Sequence, residues 1–364
     1  MLALAVGMQI MAYGASKPVP FQQGICQSGG LEPGITANFT IDAMQAVVDY
    51  VDCDASGLHS KETVACLRNL DMQTLLDASL VTYPEGNGGD IWLPAVDGDF
   101  LPAAPSTLIR EGRLANVTTM IGWCEDDLTF FTDFTIKTSE DTRRVVAAYA
   151  PGLTSTNVDK LLSLYPVSDF AARATSNLSS EFFRTARIFR DMIMTCPPMW
   201  YGQHIAAAGG NNNNNVYLYD WNQTILEPII DEASGGLTGF GVIHTSEFAY
   251  IFGNLSHYNI SGLPFHPTPD DYRLAERGSR SWSTFAATGI PSLDSGHNTF
   301  QGFTQAFPAG GGGDEDVYIF VAGGPSEGLS AIDGPQSKGP MSAQELRERC
   351  GFLNSPEVIE QLRY

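Results

Sequence analysis

Residues 241–253 read Gly-Val-Ile-His-Thr-Ser-Glu-Phe-Ala-Tyr-Ile-Phe-Gly, and this stretch decides how the rest of the chain is understood. His244 sits between a glycine-rich run (Gly235, Gly236, Gly239, Gly241) and an apolar turn of helix. Glycines leave the backbone free to place a side chain in a cleft, and imidazole is the group best suited to move protons near neutral pH. A lone histidine at a loop–helix junction more often does no more than satisfy its own hydrogen bonds. Any chemistry has to be argued from its neighbours and from the rest of the chain.

Working outward, 364 residues suffice for one large α/β domain or for two domains. Hydrophobic residues make up 43% but nowhere form the run of about 18 that a membrane span needs. Against 20 Lys+Arg stand 41 Asp+Glu, a net charge of −21. Such a surface repels phosphate backbones and anionic lipid, which argues against nucleic acid as a partner and favours a neutral or cationic small molecule. Solubility alone also accounts for the charge. The apolar opening Met1–Tyr13 has no basic residue before Lys17, so it reads as a buried helix stopped at Gly14 rather than as a signal peptide.

Of the six cysteines only Cys53 and Cys66 are close, bracketing a polar, turn-prone loop. A bond between them would stabilise by about 3 kcal/mol. Cys26, Cys124, Cys196 and Cys350 are expected to be buried free thiols. Asn-x-Ser/Thr sequons begin at Asn38, Asn116, Asn177, Asn222, Asn254 and Asn259. With the cysteine pair they suggest a glycosylated protein of an oxidising, extracellular compartment.

Short apolar segments end in turn signals: one up to Gln27-Ser28-Gly29-Gly30, then Val117–Trp123, Val216–Trp221 and Asp316–Val321. Each suits a strand of a buried sheet. Helical patterns lie between them, over Thr40–Ser79, over Ser139–Ala208 with breaks at Pro151-Gly152, Pro166 and Pro197-Pro198, over Asp270–Thr288 and over Ser342–Tyr364. Strands alternating with helices give the α/β class. No internal repeat or domain linker stands out.

One strand runs directly into the carboxylates Glu125, Asp126 and Asp127. A charge run is usually a solvated loop. Its surroundings, Ile121-Gly-Trp-Cys-Glu-Asp-Asp-Leu-Thr-Phe-Phe131, resemble the acid segment of the type-B carboxylesterases, which include fungal lipases and cholinesterases. Aligned on Gly122, Thr129 and Phe131, Asp127 falls where that family has its catalytic Glu, with Asp126 as the fallback and Leu128 in place of a Gly. The stretch 241–253 resembles the family's histidine loop, with Glu247 three residues after His244, then Tyr250, Phe252 and Gly253. Cys26-Gln-Ser28-Gly resembles the strand end whose Ser supports the acid, a role carried onto Ser28. Pro94–Pro102, Ala65-Cys66-Leu67-Arg68, Thr195-Cys196-Pro197, Ser281–Ala286 and Gly323-Gly324-Pro325 match in the family's order.

The resemblance spans residues 1–364 as one carboxylesterase domain, C-terminal portion, and implies an α/β-hydrolase fold. Ester hydrolysis in that fold needs a nucleophile, an acid and a base, in that order along the chain. The acid Asp127 and base His244 are present, supported by Ser28 and Glu247. Ahead of Asp127, where that order requires the nucleophile, there is no Gly-x-Ser-x-Gly elbow and no oxyanion segment. The expectation is therefore an incomplete α/β-hydrolase, truncated after the elbow, whose strand at Gly24–Gln27 exposes an unpaired edge and promotes self-association. Its family activity is secreted carboxylic-ester hydrolysis acting on small-molecule or lipid esters without metal or organic cofactor. As given, the chain would be inactive. The alternative is a non-catalytic relic or an adhesion or binding module of the same fold.

Overall fold

The side chains along each central strand are buried on both faces, and the reason is visible in how they sort. A computed structural model of the chain describes residues 2–37, 39–54, 56–83, 91–170, 176–209, 215–255, 265–293, 298–308 and 316–364. Five strands form one sheet in the order β1 (Gln23–Gln27), β2 (Thr118–Cys124), β3 (Val216–Trp221), β4 (Tyr318–Ala322) and β5 (Gly328–Ala331). The first three pairings are parallel and the last is antiparallel. Ile121, Trp123, Leu218, Ile319 and Val321 point into one core, shared with Leu4, Ile10 and Tyr201. Met120, Cys124, Tyr217, Tyr219, Trp221 and Phe320 point into the other, shared with Trp282, Phe285 and Phe300. This period of two, with both faces covered, is why the strands read as unbroken apolar runs.

Gly122 matters to that arrangement. Its partner in register is Tyr219, and a Cβ on Gly122 would lie 2.3 Å from the Tyr219 ring. The absent side chain leaves the room that the Tyr219 ring occupies. β1 ends the sheet, with β2 as its neighbour among the described residues.

Two expectations need correction. Cys196 and Cys350 are not free thiols. They form a disulfide across 154 residues with Cα atoms 4.9 Å apart, in the usual range for such a bond. Cys26 and Cys124 are free and buried, and Cys53 is bonded to Cys66. Second, Pro197-Pro198 does not end the helical run. Helix Ser180–Arg190 passes through a π-helical turn, Asp191–Thr195, straight into helix Cys196–Ala208. The prolines have no amide hydrogen to donate back into the preceding turn, and it is that turn which widens from α- to π-helix. The tail is helical as expected, in two short helices, Leu346–Leu353 and Pro356–Leu362. Strand β5 lies in a segment with no strand-like run, Gly328-Leu-Ser-Ala331, and exists by pairing with β4.

Candidate active site

β2 carries its last residue, Cys124, to the carboxyl edge of the parallel strands, where open α/β sheets place their sites. The chain then turns tightly through Glu125–Asp127. The Cys124 amide donates to Asp127 Oδ2 at 2.9 Å, so the carboxylate closes its own turn. The other oxygen, Oδ1, lies 2.7 Å from His244 Nδ1. Asp127 is fully buried, whereas the His244 side chain is 29% exposed. No partner among the described residues takes His244 Nε2. The Phe131 ring, largely exposed, stands edge-on to the imidazole with centroids 5.7 Å apart. Burial opposes the imidazolium, but the hydrogen bond it donates to Asp127, the charge of Asp127 and that of Glu247 outweigh this and raise the His244 pKa above its ordinary value.

The two loops are fastened to each other by more than this pair. Asp126 N–H donates to Val242 O, and Val242 N–H donates back to Asp126 Oδ2, each at 3.0 Å. Thr129 Oγ1 donates to Phe240 O at 2.8 Å and lies 2.9 Å from Asp126 O. Below them Phe240 packs against Phe130, Phe134 and Phe182.

Under the acid lies a buried polar layer. Glu247 is 1% exposed and accepts from Gln27 Nε2 at 3.1 Å and from Cys124 Sγ at 3.0 Å. Burial first, and then the charge of Asp127, raise its pKa. Burial and the nearby carboxylates, Glu247 foremost, likewise push the Cys124 thiol well up, so it stays a protonated donor. Behind the turn, Glu125 accepts from Arg187 at 2.8 Å and from Gln344 Nε2 at 2.5 Å, while Arg190 Nη1 donates to its carbonyl. A cavity of about 220 Å³ opens there, bordered by Glu125, Asp126, Thr129 and Arg187, and neither Asp127 nor His244 lines it.

Comparison with known proteins places the chain in a family. The model of the carboxylesterase family matches residues 3–309. The chain belongs to the carboxylesterase family. It is 49% identical to a secreted lipase of Arthroderma benhamiae, over 99% of this chain and 61% of that protein. It is 28% identical to an inactive carboxylesterase-like protein of Byssochlamys spectabilis, over 93% of this chain and 58% of that protein. The crystal structure of Aspergillus niger EstA superposes with a TM-score of 0.68 at 18% identity, covering 98% of this chain and 63% of that one. The α/β-hydrolase fold follows. This carboxylesterase chain spans about three fifths of the length of the relatives it matches.

At the candidate site the structure joins Asp127 to His244 and buries Glu247 beside them. Ser28 is placed differently from the role carried onto it. Its amide donates to Gly122 O at 2.8 Å, but its buried hydroxyl has no hydrogen-bond partner, and Gln27 reaches Glu247 instead. Cys124, Gln27 and Val242 were not singled out from the sequence. Only the strand alternation, which puts Gln27 on the outward side of Cys26, offered a hint of one of them. Of the sequons, Asn116, Asn177 and Asn254 are exposed and Asn222 is half-buried. Asn38 and Asn259 lie outside the described residues. The two disulfides are consistent with an extracellular setting, and among the described residues no helix is long and apolar enough to cross a membrane.

Proposed function

We propose that this chain contributes the acid and base of a serine carboxylic-ester hydrolase. The 2.7 Å contact between buried Asp127 and half-open His244 carries the reading. Asp127 accepts the Nδ1 proton, fixes the tautomer that leaves Nε2 basic, and stabilises the imidazolium. Nε2 then removes the proton of a serine hydroxyl as it attacks the ester carbonyl, and returns it to the departing alkoxide. A water molecule repeats the sequence on the acyl-enzyme. The chemistry calls for no metal or organic cofactor. The Gly-x-Ser-x-Gly at Gly324–Gly328 follows the base in the chain and links antiparallel β4 and β5 instead of a strand and a helix, so the serine of the whole protein is to be sought outside these residues, and this polypeptide by itself is inert towards esters. A net charge of −21 suits uncharged or cationic esters, small or lipid, over anionic ones. Exposed sequons at Asn116, Asn177 and Asn254 and two disulfides support a secreted glycoprotein.

The second reading, a non-catalytic member of the fold, is favoured by the relative described as inactive. Hydrolysis of p-nitrophenyl butyrate and labelling by an organophosphonate decide between them. The chain alone is expected to show neither. Joined to an N-terminal segment bearing the elbow, it is expected to turn over, and Asp127→Asn to lower kcat by about 10⁴-fold. Full activity in His244→Gln would overturn the hydrolase assignment, and inertness of the joined protein would favour the non-catalytic one.

A further inference from the structure

We infer that Asp126 is a positioning residue, whose carboxylate clamps the histidine loop so that His244 meets Asp127; the inference rests on the acid–base assignment of that pair. The loop does not hold its own shape. Gly239, Gly241 and Thr245 all have left-handed backbones, with φ of 87°, 79° and 72°. For Thr245, directly after His244, that conformation costs energy unless the surroundings impose it. Between residues 240 and 243 the internal backbone bonding is the single Ile243 N–H to Gly241 O contact at 3.1 Å. The remaining attachments go to the acid turn: Val242 N–H to Asp126 Oδ2, Asp126 N–H to Val242 O, and Thr129 Oγ1 to Phe240 O.

Two of these three depend on side chains, and both side chains stand within two residues of Asp127. The turn that presents the acid therefore also grips the loop that presents the base, at a point two residues before the imidazole. Asp126 is 9% exposed, so a carboxylate there is costly to bury without a donor, and the Val242 amide is a donor it has. A carboxylate that merely added negative potential near His244 would need no such partner. In the clamp a side-chain oxygen accepts from a backbone amide, so any side chain with a carbonyl acceptor of the same reach preserves it.

The test follows the His244 imidazole by NMR in the full chain, assigned by its loss in His244→Gln, with Asp126→Ala, Asp126→Asn, Thr129→Val and Asp127→Asn compared. Asp126→Ala is expected to abolish the slowly exchanging Nδ1 proton signal and to move the His244 midpoint down towards the ordinary 6.5. Asp126→Asn keeps the acceptor for Val242 and loses only the charge, so it is expected to retain the Nδ1 signal and the raised midpoint. Equal downward shifts in the Ala and Asn variants would show that charge, not the clamp, is at work, and would overturn the inference. So would an unchanged midpoint in Asp126→Ala. If Asp126→Ala does not fold, Thr129→Val against Thr129→Ser poses the same question at the second attachment, and an unaltered Nδ1 signal in Thr129→Val then refutes the clamp. Asp127→Asn guards the underlying assignment: if it leaves the midpoint where it is, the acid–base pairing itself fails, whatever Asp126 does.

Discussion

Opening the Cys196–Cys350 bond is the perturbation whose cost the structure specifies most directly. The bond ties the start of helix Cys196–Ala208 to helix Leu346–Leu353 and closes a loop of 154 residues. Cross-linking restricts the unfolded chain by an entropy that grows with the logarithm of loop length. For that separation the loss is about 17 cal/mol/K, or about 5 kcal/mol at 25 °C. For Cys53–Cys66, with a separation of 13, it is about 3 kcal/mol. Since a domain has only about 5–15 kcal/mol to lose, Cys196→Ala/Cys350→Ala should leave it marginal, while Cys53→Ala/Cys66→Ala should not. The bond also bears on the site. Gln344, just before the bonded helix, donates to Glu125 in the acid turn and to Asp220 on β3, and buried Arg349 holds the Gln344 carbonyl. Urea unfolding followed by tryptophan fluorescence measures both effects, because Trp200 lies in the helix that starts at Cys196. The long-loop variant should show the larger fall in extrapolated stability and a larger m-value, as its unfolded chain expands further. A short-loop variant costing as much as the long-loop one would refute the entropic reasoning.

Two further outcomes are expected. The raised His244 pKa means that the pair with Asp127 contributes its full stability below the unfolded value of 6.5 and loses it as pH rises through the folded value. Melting temperatures taken between about pH 5 and 9 should therefore fall across neutrality, and Asp127→Asn should remove that component; an unchanged slope would contradict the pairing. Gly122→Ala drives a methyl to within 2.3 Å of the Tyr219 ring and should cost about 2 kcal/mol or more, by melting, unless the ring swings away and opens the layer under Glu247. A neutral outcome would mean that the close packing of Tyr219 over the strand is dispensable.

What could be read from the residue order was whatever is local. Strands β2 to β4 were legible because both faces are buried and the apolar runs are continuous, and β1 by the paired glycines that close it; β5 was not, since Gly328-Leu-Ser-Ala331 has no such run and depends on β4 for its hydrogen bonds. The pair Asp127 and His244 was legible from two short motifs, each anchored by its own glycines and aromatics. The Cys196–Cys350 bond was not, because neither flank differs from that of a buried thiol and the partners are 154 residues apart. Asp126 and Thr129 were visible as residues, but their partners are the backbone groups of Val242 and Phe240, which carry no side-chain signature.

The substitution of Asp for the expected Glu joins these two kinds of information. Asp127 is shorter by one methylene, about 1.5 Å of reach, yet its contact with His244 Nδ1 is 2.7 Å. The missing length has to be made up by bringing the two backbones together. The structure does this on both sides: Cys124 N–H folds the carboxylate back over its own turn, and the attachments from Asp126 and Thr129 draw the histidine loop against it. Lengthening the acid again should therefore not improve the pair. Asp127→Glu would push the imidazole outward against Phe131, which already stands edge-on to it, or break the Cys124 contact. A short acid and a tightly gripped loop are, on this argument, one solution, and neither half is tolerable without the other.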